Sequence, residues 1–170
     1  MPKLIKHDRV IDDDWPLLPA GATLLDVAAA GRVIVPFALW DGERDALRTR
    51  GDVGVWLSPT DDPALLAGDV AHLPVIAVEF PKFGDGRGFS TARLLRDRYR
   101  FHGELRAFGD VFRDQLFFMA ECGFDAFTVR SDLDPAQEIA GLAVFTRTYA
   151  ASVRHPRPWF RTRAAAGETA

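Results

Sequence analysis

A single cysteine, Cys122, stands in 170 residues, so the chain forms no internal disulfide, has no Cys-x-x-Cys redox pair and offers no thiolate set for zinc or an iron–sulfur cluster. His7, His72, His102 and His155 are scattered without metal-ligand spacing, and no metal site is expected. No apolar run approaches the ~18 residues of a membrane span, and residues 1–9 are too polar for a signal peptide, so a cytoplasmic location is the expectation. Neither G-x-G-x-x-G nor G-x-x-x-x-G-K-[ST] occurs, which disfavours a Rossmann-type nicotinamide site and an ATPase; the sequence names no cofactor. Lysine is also rare. Of 21 basic residues 18 are arginine, and Lys82 is the only lysine after Lys6. A lone, compact, flexible ammonium beside a glycine-rich stretch points to a role there that arginine does not fill.

What is present is ordinary for a globular domain. At 18.8 kDa, with 48% hydrophobic and 26% charged residues, the chain suits one domain with a substantial core. We expect residues 1–150 to form a single α/β domain, with 1–32 as an N-terminal capping segment and 151–170 as a basic tail. The net charge of −3 conceals an asymmetry: residues 1–80 carry 7 basic and 13 acidic side chains, and 81–170 carry 14 and 11, so the halves are −6 and +3. The acidic total argues against nucleic-acid binding, while the basic second half suits a small anion or an acidic partner.

Short apolar runs rich in β-branched and aromatic residues at 33–40 (VIVPFALW), 53–58 (VGVWLS) and 74–80 (PVIAVEF) read as buried strands. Residues 103–108 and 124–130 repeat the theme with more alternation, which makes about five mostly parallel strands. Helical patterns fall at 41–50, after Asp62-Pro63, and at 90–99, 110–122 and 135–150. Asp62 before Pro63, Asp110 after Gly109 and Asp134 before Pro135 read as N-caps, and Gly123 as a C-terminal stop. The alternation implies right-handed βαβ crossovers, in an open sheet or a partial barrel closed by a partner subunit. Residues 1–32 include an expected edge hairpin. The helix at 110–122 is apolar on more than one side, so it lies centrally or forms a subunit interface, and a homodimer is one expectation.

The most informative stretch is Phe80-Pro81-Lys82-Phe83-Gly84-Asp85-Gly86-Arg87-Gly88-Phe89-Ser90, with three glycines on alternate positions between a strand and a helix. Backbone N–H groups in such a loop can converge on an anion at a helix N-terminus. Ligands of parallel α/β folds sit beyond the carboxyl ends of the strands, so this loop and the one after Phe108 should open on one face. The candidate ligand-binding residues are Lys82, Gly84, Asp85, Gly86, Arg87, Gly88, Ser90 and Asp110. Arg106 joins them if it points into the same space, paired with Glu104 or a carboxylate across the site. Ser90 lacks the neighbours of a nucleophile and reads as the N-cap of its helix; Cys122 reads as a small core residue. No catalytic residue is assigned.

The segments FPKFGDGRGFSTARLLRDRY and GELRAFGDVFRDQLFFMAECGFDAF, with Gly54-Val55-Trp56-Leu57 before them and Pro158-Trp159-Phe160-Arg161 after, resemble the signature of the bacterial domain of unknown function 934 family. The resemblance implies a small cytoplasmic protein whose family is commonly encoded beside the sulfite reductase hemoprotein and is often labelled an oxidoreductase of sulfite reduction. It carries no mechanism. Three expectations follow: a sulfite or sulfate oxyanion in the glycine loop; a non-enzymatic accessory docked on the hemoprotein through the basic second half and tail; or a small-molecule enzyme, an oxidoreductase or one acting on an organic phosphate, using the Lys82/Arg87/Asp110 face. The accessory role is preferred, because a chain without a flavin, nicotinamide or metal signature would need an unadvertised cofactor to move electrons.

Overall fold

Seven strands form one open sheet in the computed structural model, which describes residues 2–145, 148–158 and 161. A hairpin of β1 (Lys3–Lys6) and β2 (Arg9–Asp12) comes first, followed by α1 (Leu24–Ala29). Then come β3 (Val33–Pro36), α2 (Phe37–Gly42), α3 (Arg44–Arg48), β4 (Val53–Leu57) and a 3-10 turn (Pro63–Leu66). β5 (Val75–Phe80) leads into α4 (Arg87–Arg93), which continues as a π-helical turn (Leu94–Arg98). β6 (Glu104–Gly109), α5 (Arg113–Cys122), β7 (Ala126–Phe127) and α6 (Pro135–Glu138), extended by a 3-10 turn (Ile139–Ala143), complete the order.

The sheet runs β2-β1-β7-β6-β5-β4-β3, with β3 to β7 parallel and β1 antiparallel to both of its neighbours. Consecutive parallel strands are therefore adjacent, and right-handed crossovers in that order place every helix on the same face. The core follows. Val33, Val35, Val53, Val55, Leu57, Ile76, Val78, Phe80, Leu105 and Ala107 alternate onto one face and pack against Trp40, Leu47, Ala92, Leu95, Leu116 and Met119. Each such Val, Leu or Ile, fully withdrawn from water, contributes about 1.5–3 kcal/mol.

The opposite face is thinly covered. Ile34, Val75 and Ala77 meet Trp15, Leu17, Trp56 and Phe108, and among the described residues no helix joins this cluster. Its cover is residues 13–18, laid along β3: the Leu18 N–H donates to Ile34 O at 2.9 Å, the Ile34 N–H to Pro16 O at 2.9 Å and Trp56 Nε1 to Leu18 O at 2.9 Å. The same segment thereby occupies the β3 edge.

The α/β class and the open sheet match expectation, with the N-terminal hairpin adding two strands to the five. Several boundaries differ for physical reasons. The run at 33–40 is a strand only to Pro36, which becomes the N-cap of α2; Phe37 and Trp40, three residues apart, then face the core together. The N-cap of α5 is Phe112 rather than Asp110, and that of α4 is Gly86 rather than Ser90. The region 124–130 supplies only the two residues of β7, and the last helical stretch ends at Ala143. Asp62 and Asp134 do cap their turns, accepting from the Ala64 and Ala136 N–H at 2.9 and 3.0 Å, and Gly123 closes α5 at φ 110°. Of the expected tail, Ser152, Val153 and His155 are pinned to Glu121, the Val153 N–H donating to Glu121 O at 3.1 Å; its aromatic pair Trp159-Phe160 and residues 162–170 lie outside the described residues.

Candidate functional site at the carboxyl ends of the strands

The loops after β5 and β6 meet as the crossover geometry requires. Gly109 makes the meeting possible: at φ 100°, a Cβ on it would lie 2.5 Å from the Phe80 carbonyl oxygen, so only glycine lets β6 end this close to β5. The Asp110 N–H then donates to that oxygen at 2.6 Å. Asp110 Oδ2 accepts the Phe83 N–H at 3.0 Å, its Oδ1 lies 3.6 Å from Arg130 Nη1, and Gln115 Nε2 donates to Phe83 O at 3.3 Å. The Phe83 ring meets Phe112 edge-on at 5.6 Å, and the Arg130 guanidinium covers Phe112 from 4.4 Å. Phe83 is therefore held at both main-chain polar groups while its side chain stays 55% exposed. Lys82 beside it is exposed, and among the described residues its ammonium has no hydrogen bond or ion pair.

The glycine loop carries its own anion. Asp85 Oδ1 accepts the Arg87 N–H at 3.2 Å and Arg87 Nε at 2.9 Å, and Oδ2 accepts Arg87 Nη2 at 2.6 Å. The hydrogen-bonded guanidinium, helped by the Lys82 charge, holds the Asp85 carboxyl at about 2. Because the folded value lies below the unfolded one, this contribution to loop order is complete above the unfolded carboxylate range and is lost as pH falls through the folded value. We expect the loop amides, followed by NMR on acidification, to shift with a midpoint near that of Asp85 and well below an exposed aspartate; a midpoint at the ordinary aspartate value would contradict the pairing.

The sequence-derived site residues separate into three groups. Lys82, Gly84, Asp85, Gly86, Arg87 and Asp110 do come together. Gly88 belongs to the same loop but serves packing, since a Cβ there would sit 2.6 Å from the Phe80 ring, and Ser90 is an exposed residue on the first turn of α4. Arg106 is elsewhere. Its side chain is fully buried on the thinly covered face, where Nη1 donates to Asp13 Oδ2 at 2.8 Å, and Nε and Nη2 donate to Glu104 Oε1 at 2.9 and 2.8 Å. The Glu104 pairing matches expectation, but strand alternation directs Arg106 away from the loops.

Residues 110–130 supply supports that spacing alone did not reveal: Phe112, Gln115 and Arg130. Glu79 lies outside this group: alternation along β5 puts it with Val75 and Ala77 on the thinly covered face, opposite Phe108, where burial and the nearby Asp61 charge raise its pKa. Cys122 is buried, and burial pushes its thiol up, as a core residue requires.

Sequential parallel strands, helices on one face and a braced basic-aromatic tip define an α/β protein whose candidate site is a presented surface. The chain belongs to a family described as bacterial protein of unknown function (DUF934), whose profile matches residues 54–160, from β4 through the tip and α5 into the tail. No curated protein matches it. Among the described residues, no helix is long and apolar enough to cross a membrane.

Proposed function

We propose that this protein is an accessory of assimilatory sulfite reduction that docks on a sulfite reductase hemoprotein, with Lys82 and Phe83 at the centre of its contact surface. The pathway comes from the family resemblance. The observation that carries the docking reading is the construction of the tip: an ammonium unpaired among the described residues and a half-exposed ring, on a main chain braced by Asp110 and Gln115. Pre-ordering of this kind lowers the entropy lost on association, an exposed aromatic ring is a residue type enriched in interfaces, and the Lys82 charge would steer an acidic partner. Arg87 and Asp110, the polar partners a small-molecule enzyme would use, are both engaged in holding the loop.

The expected result is faster sulfite-dependent electron consumption by the hemoprotein when the wild-type protein is added, with most of the gain lost in the double variant Lys82→Glu/Phe83→Ala. Both side chains are exposed, so the variant keeps its fold. Equal stimulation by wild type and variant would remove the tip from the interface. An oxyanion at the loop must compete with Asp85, so sulfate should bind Asp85→Ala more tightly than wild type in a calorimetric titration. Equal binding would show that Asp85 does not fill the cradle.

A further inference from the structure

The first half of α5 borders a groove of about 700 Å³. Its walls are Phe112, Phe117, Phe118, Leu133, Val144 and Phe145, with Phe118 56% and Phe145 62% exposed. The groove is built rather than frayed. Phe117 and Phe145 pack edge to face at 5.1 Å, and Gly141 brings residues 139–145 so close to α5 that a Cβ on it would lie 2.0 Å from Arg113 O. Apolar surface of this extent, held open by tight packing behind it, marks an interaction site.

The rim identifies the occupant. Arg113 and Asp114 are adjacent on the first turn of α5, both exposed, and neither charged end has a hydrogen bond or ion pair among the described residues. Glu138, the other charge at the groove, is already used, accepting the Arg113 N–H at 2.8 Å. One unpaired charge of each sign beside one apolar groove is self-complementary. Under a two-fold axis, Arg113 of each copy would meet Asp114 of the other while the exposed rings close on each other. A partner of a single charge sign would leave one of the two unmatched.

We propose that this groove is the interface between two copies of the chain, paired about a two-fold axis through the first half of α5. The proposal does not rest on the docking reading: the tip lies beyond Phe112, so monomerising variants keep Lys82 and Phe83.

The test is the mass in solution by light scattering after size exclusion, with far-UV circular dichroism and urea midpoints confirming the fold of each variant. Wild type is expected at twice 18.8 kDa. Phe118→Glu is expected to weaken self-association by about 30-fold or more. Arg113→Asp and Asp114→Arg each place like charges across the axis and are expected as monomers, whereas an equimolar mixture of the two restores a dimer. A monomeric wild type, a dimer that survives Phe118→Glu, or failure of the folded mixture to dimerise overturns the proposal. If the dimer fails while the hemoprotein still binds, this inference falls and the proposed function stands; the reverse pattern does the opposite.

Discussion

Arg106→Met is expected to lower the stability of the fold by about 3–5 kcal/mol, because it leaves the buried Asp13 carboxylate without its cation and Glu104 with Lys6 alone. Asp13 and Glu104 are themselves almost fully withdrawn from water, and the guanidinium reaches both. Lys6 supports the cluster from the edge, its Nζ 2.7 Å from Glu104 Oε2. The ion group ties β1, β6 and residues 13–18 together, so its loss loosens the segment that covers Ile34, Val75 and Ala77 and leaves it held by its hydrogen bonds to Ile34 and Trp56. At a slope of about 2 kcal/mol/M, the urea midpoint should fall by roughly 2 M. The triple variant Arg106→Met/Asp13→Leu/Glu104→Gln is expected to recover much of the loss, since the cost lies in the unpaired charges. A single variant within about 1 kcal/mol of wild type would show that water enters this face and solvates the carboxylates.

Gly109→Ala carries the second large effect, roughly 3 kcal/mol, from a side chain forced into the left-handed region and against the Phe80 carbonyl. The consequence reaches the site. Moving Gly109 off Phe80 pulls Asp110 away from the Phe83 N–H, so hydrogen exchange at the Phe83 amide should accelerate more than exchange in the β3–β4 ladder. Gly84→Ala is the control. Open space surrounds that position and its φ is not positive, so a change within about 0.5 kcal/mol is expected. Similar losses at both glycines would mean that the loop tolerates no Cβ anywhere and that Gly109 has no special part in bracing the tip.

Features specified by neighbouring residues were legible from the chain alone. The Asp62-Pro63 and Asp134-Pro135 entries, the Gly123 stop and the β-branched runs of β4 and β5 each depend on contacts within a few residues. The run at 33–40 failed because an apolar stretch does not distinguish a buried strand from a strand followed by a helix; Pro36 decides the matter through its fixed φ of −62°. The edge hairpin expected in residues 1–32 is present as β1–β2, although it turns through His7 at φ 53° without the usual glycine. Long-range partners were the least legible. Arg106 finds Asp13 across 93 residues, and no local pattern distinguishes a cation aimed at a ligand from one aimed at a buried carboxylate. The glycine loop is read from its spacing as an anion cradle, and that spacing does not show that Asp85, two residues before Arg87, pairs with the Arg87 guanidinium and N–H.

The tip carries the proposed contact with the hemoprotein. Titration calorimetry of the purified protein with the sulfite reductase hemoprotein, at about 0.15 M ionic strength where long-range charge attraction is screened, tests that claim most directly. The expected result is saturable binding that Lys82→Glu/Phe83→Ala weakens roughly tenfold or more and Gly84→Ala leaves unchanged. Folded wild-type protein giving no binding heat and no complex on size exclusion, or binding equally well without the Lys82 and Phe83 side chains, would contradict it.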